Sequence, residues 1–547
     1  MTYSPQGTQR DVINSHASVL VVLGGAGTGK TVTAAAAAAA HLAEADQERD
    51  QLRREQIRSG KPVSTPPRAR VLFLSFSRTA VSQVIDRAGG VVGRLLDRIN
   101  VATFHGFAWR IITDFGPRYG LPPPLTILSV AETRVAGGQP GMVYDNLIPA
   151  ASDILTRPTV SSFYARRYSL VICDEFQDTD DEEWQFLQSI APGSRRILLG
   201  DAHQCIYAEM KGIDPDTRIN GALALPGAER IDLPPASHRD PSGVLPAAAE
   251  AARERRFDDP AIATAVEQGR LVVTRTKEED MHATIIDIVR TEQAERRSVS
   301  VFTHTNAATA AVSDALTDAG LQHEQVGMGE AYAEALSAQL ALIRFAIEGV
   351  SPRRPLAVYV AANYRARVAI VSQIMEGSNA AFERAFERVL HDLETTRDPA
   401  LDLDTLGKLV TGAYGRLGTQ RGQQTWLEAA RRTRMALSRI KAGTPFASVA
   451  ADIERARHNS LVGDGGLRPR RLQVMNLHQT KGREADATIL LLQPDEFHGR
   501  ERTPFPKLSR LMYVVLTRAR KRAHLVVPPE VHALWEPLIE ICEAHSR

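Results

Sequence analysis

The segment VLGGAGTGKT, residues 22–31, combines residue types and a spacing that can hold phosphate groups. Gly24, Gly29, Lys30 and Thr31 fit the pattern G-x-x-x-x-G-K-[ST]. Glycines let backbone N–H groups approach phosphate oxygens, and a helix that starts here adds a partial positive charge. In such a loop the lysine reaches the β- and γ-phosphates, and the threonine hydroxyl binds Mg²⁺. The residues that we predict to surround the phosphates are Gly24, Gly25, Ala26, Gly27, Thr28, Gly29, Lys30 and Thr31.

The sequence on either side of this segment favours a phosphate loop. ASVLVVL, residues 17–23, is a short apolar run typical of a buried strand. VTAAAAAAAHLA, residues 32–43, is rich in alanine and favours a helix. The alternative is a glycine-rich turn without a ligand, which this strand–loop–helix context disfavours.

A pair of acidic residues follows a second apolar run. In YSLVICDEFQDT, residues 168–179, Asp174 and Glu175 come directly after a predicted buried strand. An aspartate at this position can hold Mg²⁺, and a neighbouring glutamate can orient or deprotonate the attacking water. The alternative is an acidic loop, which explains the acidic residues from Asp178 onward but not an acid pair directly at the end of a buried strand. A glutamate beside the aspartate favours hydrolysis over phosphoryl transfer to a substrate hydroxyl.

Further segments carry a resemblance to a known family. Together with the two motifs above they resemble, in order, the motifs of UvrD/Rep-like superfamily 1 DNA helicases. They are TQRDVI (8–13), VLFLSFSRTA (71–80), VATFHGFAWRII (101–112), RRILLGDAHQCIY (195–207), LPPASHRDPSG (233–243), VMNLHQTKGREADATILLL (474–492) and RLMYVVLTRARKR (510–522).

The resemblance implies that ATP and Mg²⁺ are bound. Gln9 matches an adenine-reading glutamine, and His238 stands where the family has an adenine-stacking tyrosine. Gln204 matches a γ-phosphate sensor, and Glu484 matches a nucleotide-contacting glutamate. Arginine fingers are implied at Arg239 and Arg518, so the catalytic residues that we predict are Lys30, Asp174, Glu175, Gln204, Arg239 and Arg518.

The resemblance also implies contacts with single-stranded DNA. Aromatic side chains can stack on bases and cations can bind phosphates, in both cases without reading the sequence. The predicted contacts are Phe76, Arg78, Phe104, His105, Tyr207, Lys211 and His478. Phe107 and Trp109 could serve the same purpose or pack in the core. After Tyr207 the sequence AEMKG places Met210 near a position that is aromatic in the family, which weakens the expected grip on a base.

The predicted fold class is α/β, with two RecA-like P-loop NTPase domains, mainly parallel sheets and a reduced helical accessory subdomain inserted in the second. The first domain is predicted at 1–235, with a short insert at about 116–168. The second is predicted at 236–345 and 465–547, and 346–464 has the apolar spacing of helices. The charged, Pro-containing segment 44–70 is predicted to extend the first long helix and then form an exposed, mobile loop; the motifs assign it no role.

The composition limits the possible partners. Among 547 residues, 43% are hydrophobic, which is sufficient for large cores, and the net charge is +2. A polyanion must therefore meet a local basic surface, because the whole chain has no strong positive field. Without an apolar leader, a membrane-length apolar run or paired cysteines, we expect a cytoplasmic protein with no membrane partner. We also expect neither a fused nuclease domain nor a C-terminal nucleic-acid-binding tail.

Three functional hypotheses follow. The first is an ATP-hydrolysing DNA helicase or translocase that moves 3′ to 5′ on single-stranded or 3′-tailed DNA and separates strands or displaces proteins. The second is a DNA-dependent ATPase that acts as a sensor or regulatory subunit beside a separate nuclease or repair protein, in repair or anti-phage defence. The third is a small-molecule kinase, which the acid pair and the two arginine fingers disfavour.

Overall fold

A computed structural model describes most of the chain. Its described residues are 5–60, 62–76, 92–121, 125–133, 141–205, 212–326, 329–362, 373–397, 401–417, 422–462, 470–492 and 509–546. Arg78, Tyr207, Met210 and Lys211 lie outside them, so the predicted DNA contacts at these positions remain predictions.

The strands in the described part of the chain are short. They are β1 Val19–Leu23, β2 Val71–Ser75, β3 Ile99–Thr103, β4 Ile127–Leu128, β5 Met142–Val143, β6 Leu170–Asp174, β7 Arg195–Gly200, β8 Ala228–Asp232, β9 Leu271–Arg275, β10 Val299–Thr303, β11 Glu324–Gln325, β12 Leu472–Asn476, β13 Ala485–Leu491 and β14 Ala519–Val527.

Helices alternate with these strands or follow one another between them. They are α1 Thr8–Asn14, α2 Lys30–Arg58, α3 Phe104–Phe115, α4 Val130–Thr133, α5 Leu147–Leu155, α6 Pro158–Arg167, α7 Asp181–Ser189, α8 Pro215–Leu223, α9 Val244–Arg253, α10 Pro260–Glu267, α11 Met281–Ala294, α12 Asn306–Asp318, α13 Gly329–Glu348, α14 Arg353–Ala362, α15 Ala380–Glu394, α16 Leu403–Arg416, α17 Gln423–Lys441, α18 Phe446–Val462, α19 Arg510–Leu516 and α20 Glu536–His545.

The first sheet has the strand order β3-β2-β6-β7-β1-β8, and its paired strands are parallel. Its inner strands are almost continuous apolar runs because helices cover both faces of such a sheet. β2 and β6 are buried at every position, whereas β8 at the edge is partly exposed. Parallel strands end at the same edge, so the segments that follow β1, β6 and β7 come together there.

The second sheet is also parallel. The order β12-β10-β13-β14-β9 joins strands from the last third of the chain to strands near its middle. β10 and β12 are buried at every position. Two mainly parallel sheets with intervening helices confirm the predicted α/β fold class.

The chain divides into two compact units. The first comprises 1–119, 148–305 and 466–547 and contains β12-β10-β13-β14-β9 together with the whole first sheet. The second comprises 120–147 and 306–465. These units are defined by the contacts within them, whereas the domains predicted from the sequence are defined by the motifs. The units therefore do not test the predicted domain boundaries. The predicted boundaries remain a proposal.

The second unit is mainly helical and has its own core. Trp426 is fully buried there, and its Nε1 donates to the backbone oxygens of Val410 (3.1 Å) and Thr411 (3.0 Å). Gln339 is also buried, and its Nε2 donates to the backbone oxygen of Trp426 at 2.8 Å. These bonds satisfy polar groups inside an otherwise apolar helix bundle. In the described residues, no helix is both long and apolar enough to cross a membrane.

The predicted extension of the first long helix is confirmed, since α2 continues to Arg58. The chain then returns along this helix and is hydrogen-bonded to it. Arg49 Nε donates to the backbone oxygen of Pro66 at 3.0 Å. Gln56 exchanges two bonds with the backbone of Ser64, at 3.0 and 3.1 Å. The described part of this return segment is thus held against the helix, although much of it is exposed.

A buried ionic cluster stabilises the second sheet. The fully buried Glu292 accepts hydrogen bonds from His524 Nε2 (2.9 Å), Arg297 Nη1 (2.7 Å) and Arg522 Nη1 (3.0 Å). Burial alone would raise the pKa of Glu292, but the bonds from His524 and Arg297 outweigh it and lower the pKa to about 2. The carboxylate is therefore charged at neutral pH, and it connects α11 to β14.

We predict that Glu292→Gln destabilises the first unit by about 3 kcal/mol, because the buried His524 and the partly buried Arg297 and Arg522 lose their charged acceptor. The measurement is denaturant-induced unfolding at pH 7. The folded-state pKa lies below the unfolded one, so the carboxylate contributes above pH 4.5 and its contribution is lost as the pH falls toward 2. The difference between wild type and variant should therefore shrink over that interval. The exposed Glu279→Gln is the control and should change stability by less than about 0.5 kcal/mol. Equal effects of the two substitutions would contradict the assignment.

Candidate nucleotide-binding site

The phosphate loop connects buried β1 to the first residue of α2. Gly27 has φ 79° and Gly29 has φ 88°, conformations that side chains rarely adopt. A Cβ at Gly27 would also lie 2.4 Å from Ser237 Oγ, and one at Gly24 would lie 2.8 Å from Thr28 Oγ1. Glycine is therefore required here both for backbone conformation and for space.

Lys30 starts α2 with its ammonium group directed back at the loop. Its Nζ donates to the backbone oxygens of Gly24 (2.5 Å) and Gly25 (3.1 Å). The residue is 8% exposed. Carbonyl oxygens are weaker partners for an ammonium group than phosphate oxygens, because a phosphate oxygen carries negative charge and adds Coulomb attraction to the hydrogen bond. The position is therefore suited to exchange these carbonyls for a phosphate.

Thr31 and Asp174, the predicted Mg²⁺ ligands, lie together at the start of α2 and the end of β6. Thr31 Oγ1 donates to Asp174 Oδ2 at 2.9 Å. Burial, and then the charge of Glu175, raise the pKa of Asp174 to about 6, against the opposing effect of Lys30. A nearby divalent cation would favour the charged form. The described residues contain no group of three or more His, Cys, Asp or Glu side chains able to hold a metal. Mg²⁺ fits nonetheless, because at nucleotide sites it takes one or two carboxylates together with phosphate oxygens.

Glu175 is held in an unusual backbone conformation beside this pair. Its φ of 57° places it in the left-handed region, and Gln177 Nε2 donates to its Oε2 at 2.7 Å. Burial alone would raise the pKa of Glu175. The positive charges of Lys481 and Lys30, with smaller contributions from other groups, outweigh burial and lower the pKa. The side chain is therefore a carboxylate at neutral pH. Non-glycine residues with such φ values cluster at active sites.

Lys481 is a site residue that the sequence reasoning missed. It is buried and forms an ion pair with Asp178 Oδ2, which is fully buried. The partners lie 303 positions apart, so no local pattern pairs them. A signal was present, because Lys481 lies in the motif segment that carries Glu484. The paired Asp178 is thus a structural member of the site and not part of a solvated acidic loop.

Arg239 follows β8 of the first sheet, and groups that directly precede strands of the second sheet hold its side chain. Arg239 Nε donates to Glu484 Oε2 at 2.7 Å, and its Nη1 donates to the backbone oxygen of Thr517. Glu484 also pairs with Arg520, another lining residue that the sequence reasoning missed. Glu484 therefore lies between two guanidinium groups at the cavity wall.

Arg518 approaches Gln204 from the same side. It is almost fully buried, and its Nη2 donates to Gln204 Oε1. Gln204 in turn donates to Asp201 Oδ2 at 2.7 Å. Burial, together with the positive charge of Arg239, lowers the pKa of Arg518 to about 10. The guanidinium remains charged at neutral pH and has a neutral partner here, so an anion would be favoured beside it.

The predicted adenine contacts lie together near the loop. Gln9 Nε2 is 3.3 Å from His238 Nε2, and the His238 backbone N–H donates to Gly27 O at 2.8 Å. A Cβ at Gly29 would lie 3.3 Å from both Gln9 Nε2 and His238 Cδ2. The absence of a side chain at Gly29 therefore keeps space between the loop and this pair. Tyr513 was also missed; its hydroxyl accepts a bond from Ala26 N at 3.2 Å.

These groups line one cavity of about 420 Å³, a volume usual for small-molecule sites. Predicted site residues in its lining are Gln9, Gly27, Thr28, Gly29, Lys30, Thr31, Phe76, Asp174, Glu175, Gln204, His238, Arg239, Glu484 and Arg518. Gly24, Gly25 and Ala26 lie in the loop beside it. The structure thus gathers the predicted nucleotide residues in one place, and their individual roles remain proposals.

The described DNA-contact candidates are placed differently. Phe76 lines the cavity and stacks on Phe104, with 4.9 Å between the ring centroids. Phe104 is 1% exposed, so its ring faces the interior in this conformation. His105 and His478 are partly exposed, at the starts of α3 and of a short 3₁₀ helix. Phe107, for which core packing was the alternative, is buried against Tyr164, Tyr168 and Phe186. Trp109 is also buried.

Comparisons with known proteins agree with this arrangement. A family model described as an AAA domain matches residues 9–210. The chain is 23% identical to DNA helicase II of Escherichia coli (strain K12) over 301 residues, 44% of this chain and 39% of that protein. It is 20% identical to ATP-dependent DNA helicase PcrA of Bacillus subtilis (strain 168) over 388 residues, 58% of this chain and 50% of that protein.

A shorter segment resembles a subunit of a larger enzyme. Over 98 residues the chain is 36% identical to RecBCD enzyme subunit RecB of Mycolicibacterium smegmatis (strain ATCC 700084 / mc(2)155), 17% of this chain and 9% of that protein. The chain spans half or less of the length of these relatives. The comparisons confirm the resemblance to UvrD/Rep-like superfamily 1 helicases and the RecA-like α/β fold class.

We predict that Lys30→Ala weakens nucleotide binding at least tenfold, because a charge-assisted bond to phosphate contributes about 1.5–3 kcal/mol. The measurement is titration with a fluorescent ATP analogue in the presence of Mg²⁺. The exposed Lys277→Ala, which also removes one positive charge, is the control and should bind as wild type does. Equal affinities for Lys30→Ala and wild type would mean that the loop does not bind the nucleotide's phosphates.

Proposed function

We propose that this chain is an ATP-hydrolysing motor that moves 3′ to 5′ on single-stranded DNA and thereby separates strands or displaces bound proteins. The observation that carries the proposal is the cavity whose lining combines a phosphate loop, two carboxylates and two arginines, Arg239 and Arg518. Fixed positive charges in the lining of such a cavity can stabilise the charge that develops on a transferring phosphoryl group.

The phosphate loop supplies the binding part of the proposal. Backbone N–H groups of the loop and the start of α2 would bind the phosphates, and Lys30 would exchange its two carbonyl partners for phosphate oxygens. Thr31 and Asp174 would hold Mg²⁺, which when bound neutralises phosphate charge. Gln9 and His238 lie where a base bound beside Gly29 would meet them.

In this proposal Glu175 activates the attacking water. Because its pKa is lowered, the carboxylate is available at neutral pH to accept a proton. The bond from Gln177 Nε2 fixes its orientation, and Gln177 Oε1 itself accepts a bond from Asp201 N at 3.2 Å. The backbone after β7 is thereby connected to the general base. A hydrolytic role follows more readily from this arrangement than transfer to a second substrate.

The arginines connect hydrolysis to movement. Arg239 is bonded to Glu484, and Arg518 is bonded to Gln204, so both have alternative partners to a γ-phosphate. Binding of the anion would draw the two guanidinium groups toward the phosphate, and its loss would return them to Glu484 and Gln204. Two arrangements that differ in the position of one wall suit a cycle of closing and opening.

Phe76 supports a connection from the cavity toward DNA. Its ring faces the nucleotide cavity and stacks on Phe104, the first residue of α3, next to His105. A shift of Phe76 would displace Phe104 and the adjacent His105, because packed rings cannot interpenetrate. The relatives named DNA helicases make DNA the proposed track, and the 3′ to 5′ direction comes from the family resemblance.

A DNA-dependent ATPase that acts as a sensor or regulatory subunit is the second candidate. The identity with a segment of RecB favours it, because that relative is named as a subunit of an enzyme. Met210 and Lys211, near positions where the family has an aromatic residue and an arginine, favour it as well. A separate nuclease or repair protein would then be the partner.

We predict that Glu175→Gln binds ATP with near wild-type affinity but hydrolyses it at least about 100-fold more slowly, because general-base catalysis is lost. Phosphate release and binding of a fluorescent ATP analogue should be measured on the same preparations. Glu182→Gln removes an exposed carboxylate from α7 and is the control, with unchanged turnover. Rapid turnover by Glu175→Gln would refute the assigned role.

We predict that single-stranded DNA stimulates steady-state ATP hydrolysis and that rising salt weakens the stimulation, because phosphate contacts are screened. Lys30→Ala, tested in parallel, should show no turnover with or without DNA. A high rate that ignores DNA would contradict a DNA-coupled motor.

Unwinding assays then separate the two candidates. Displacement from a 3′-tailed but not a 5′-tailed duplex would support the helicase and its direction. DNA-stimulated hydrolysis without displacement from either duplex would support the regulatory subunit.

A further inference from the structure

A second cavity, of about 670 Å³, lies on the first unit away from the nucleotide site. We call it the arginine groove. Its lining is Pro67, Arg68, Arg70, Pro158, Thr159, Ser162, Phe163, Arg166 and Arg167. One wall is the end of the return segment that runs along α2, and the other is helix α6.

The groove and the nucleotide cavity occupy opposite edges of the first sheet. Arg70 directly precedes β2, and Arg167 precedes β6 by three positions, so the groove lies at the amino ends of these strands. The phosphate loop and Asp174 lie at the carboxyl ends. A strand of five residues is about 17 Å long, so a ligand in the groove does not meet Lys30.

The charge of the groove is strongly positive. Its lining contains four arginines and no carboxylate. Within the described ranges none of these four arginines forms an ion pair; Arg70 Nη1 bonds the backbone oxygen of Asp97 at 3.4 Å, and Arg167 Nε bonds Tyr168 Oη at 3.3 Å. Many other arginines of the protein are paired with carboxylates, for example Arg256 with Asp259 and Arg353 with Glu383. The amino end of α6 adds its partial positive charge at Pro158 and Thr159.

Aromatic rings accompany these charges. Phe163 is 44% exposed, which is unusual for a large apolar side chain in a charged groove. Arg167 lies over this ring at 5.8 Å, and Phe115 supports it from the side at 5.5 Å. Tyr119, which is 38% exposed, bonds Thr159 at the rim with 3.0 Å between the hydroxyl oxygens.

We propose that the arginine groove is a second nucleic-acid site that binds a single-stranded segment independently of the nucleotide cavity. Arginines would bind successive phosphates, and a base would stack on Phe163. An acidic protein surface would satisfy the arginines but would leave the exposed ring without a matching group. A nearly neutral chain needs such a local basic surface to hold a polyanion.

The proposal also assigns a role to segment 44–70. Arg49 Nε donates to the backbone oxygen of Pro66 at 3.0 Å. Arg98 connects α2 to the chain just before Arg70, since its Nη1 pairs with Asp46 Oδ2 at 2.6 Å and its Nε donates to the backbone oxygen of Ala69 at 2.9 Å. These bonds fix the chain that presents Arg68 and Arg70 opposite α6. The insertion thus builds one wall of the groove.

The test is isothermal titration calorimetry of the full chain with an oligothymidylate of about six nucleotides, in the size range of single-stranded sites. We expect the Arg68→Ala/Arg166→Ala double variant to bind one oligonucleotide fewer per chain than wild type does. If residual binding persists, its affinity at 0.1 M salt should be about 20-fold lower and its salt slope smaller by about 1.4, because two phosphate contacts are lost. Phe163→Ala should weaken the same site about five- to a hundredfold through loss of stacking.

The control is Arg290→Ala/Arg455→Ala, which removes two exposed arginines that are paired with aspartates elsewhere. It should bind as wild type does, and all variants should share the wild-type unfolding midpoint and DNA-free ATPase rate. The proposed motor track would bind an oligonucleotide of its own. A decrease from two bound oligonucleotides per chain to one would therefore support both sites, and a decrease from one to none would support the groove alone. Unchanged stoichiometry, affinity and salt slope in the groove variants would overturn the proposal. An acidic protein surface would then be the remaining candidate ligand of the groove.

Discussion

The burial of opposite charges in one cavity is the constraint on which the rest of the site depends. A charge taken out of water costs several kcal/mol unless a partner repays it. Lys481 is paired with Asp178 and Arg239 with Glu484, whereas Arg518 has a neutral amide as its partner. The two sheets must therefore be built accurately enough to bring these partners within hydrogen-bond distance. Arg518, whose charge has no charged partner among these pairs, would therefore be stabilised most by a bound anion.

Local chemistry made part of this site predictable. The loop that ends at Lys30 and the acid at the end of β6 follow from patterns confined to a few residues, and the parallel sheet then brings them to one edge. The Lys481–Asp178 pair was not predictable, because its partners are far apart and each has an ordinary local explanation. Whether Phe107 contacts DNA or packs in the core could not be decided from the sequence, because an apolar residue fits both. Its burial in the structure favours the core. The compact unit that joins 120–147 to 306–465 leaves no local signal at all.

The same reasoning explains why the arginine groove is not visible in the sequence. Arg68 and Arg70 belong to an insertion with mixed charges, and Arg166 and Arg167 end an ordinary helix. Neither segment is unusually basic by itself. The groove arises because β2 and β6 are neighbours in the sheet, so the residues that precede them meet at one edge. Net charge describes the whole chain, whereas recognition depends on which charges a fold places side by side.

Helix α2 joins the two edges of this sheet in a single rigid element. It begins at Lys30 in the phosphate loop, and Arg49, nineteen positions further along, holds the segment that forms a wall of the groove. At 1.5 Å per residue these two points are about 28 Å apart. A tilt of about 5° at the loop would move the far point by about 2.5 Å, comparable to the length of a hydrogen bond. If α2 moves as a rigid body, a small adjustment around a phosphate would become a displacement large enough to make or break contacts at the other end.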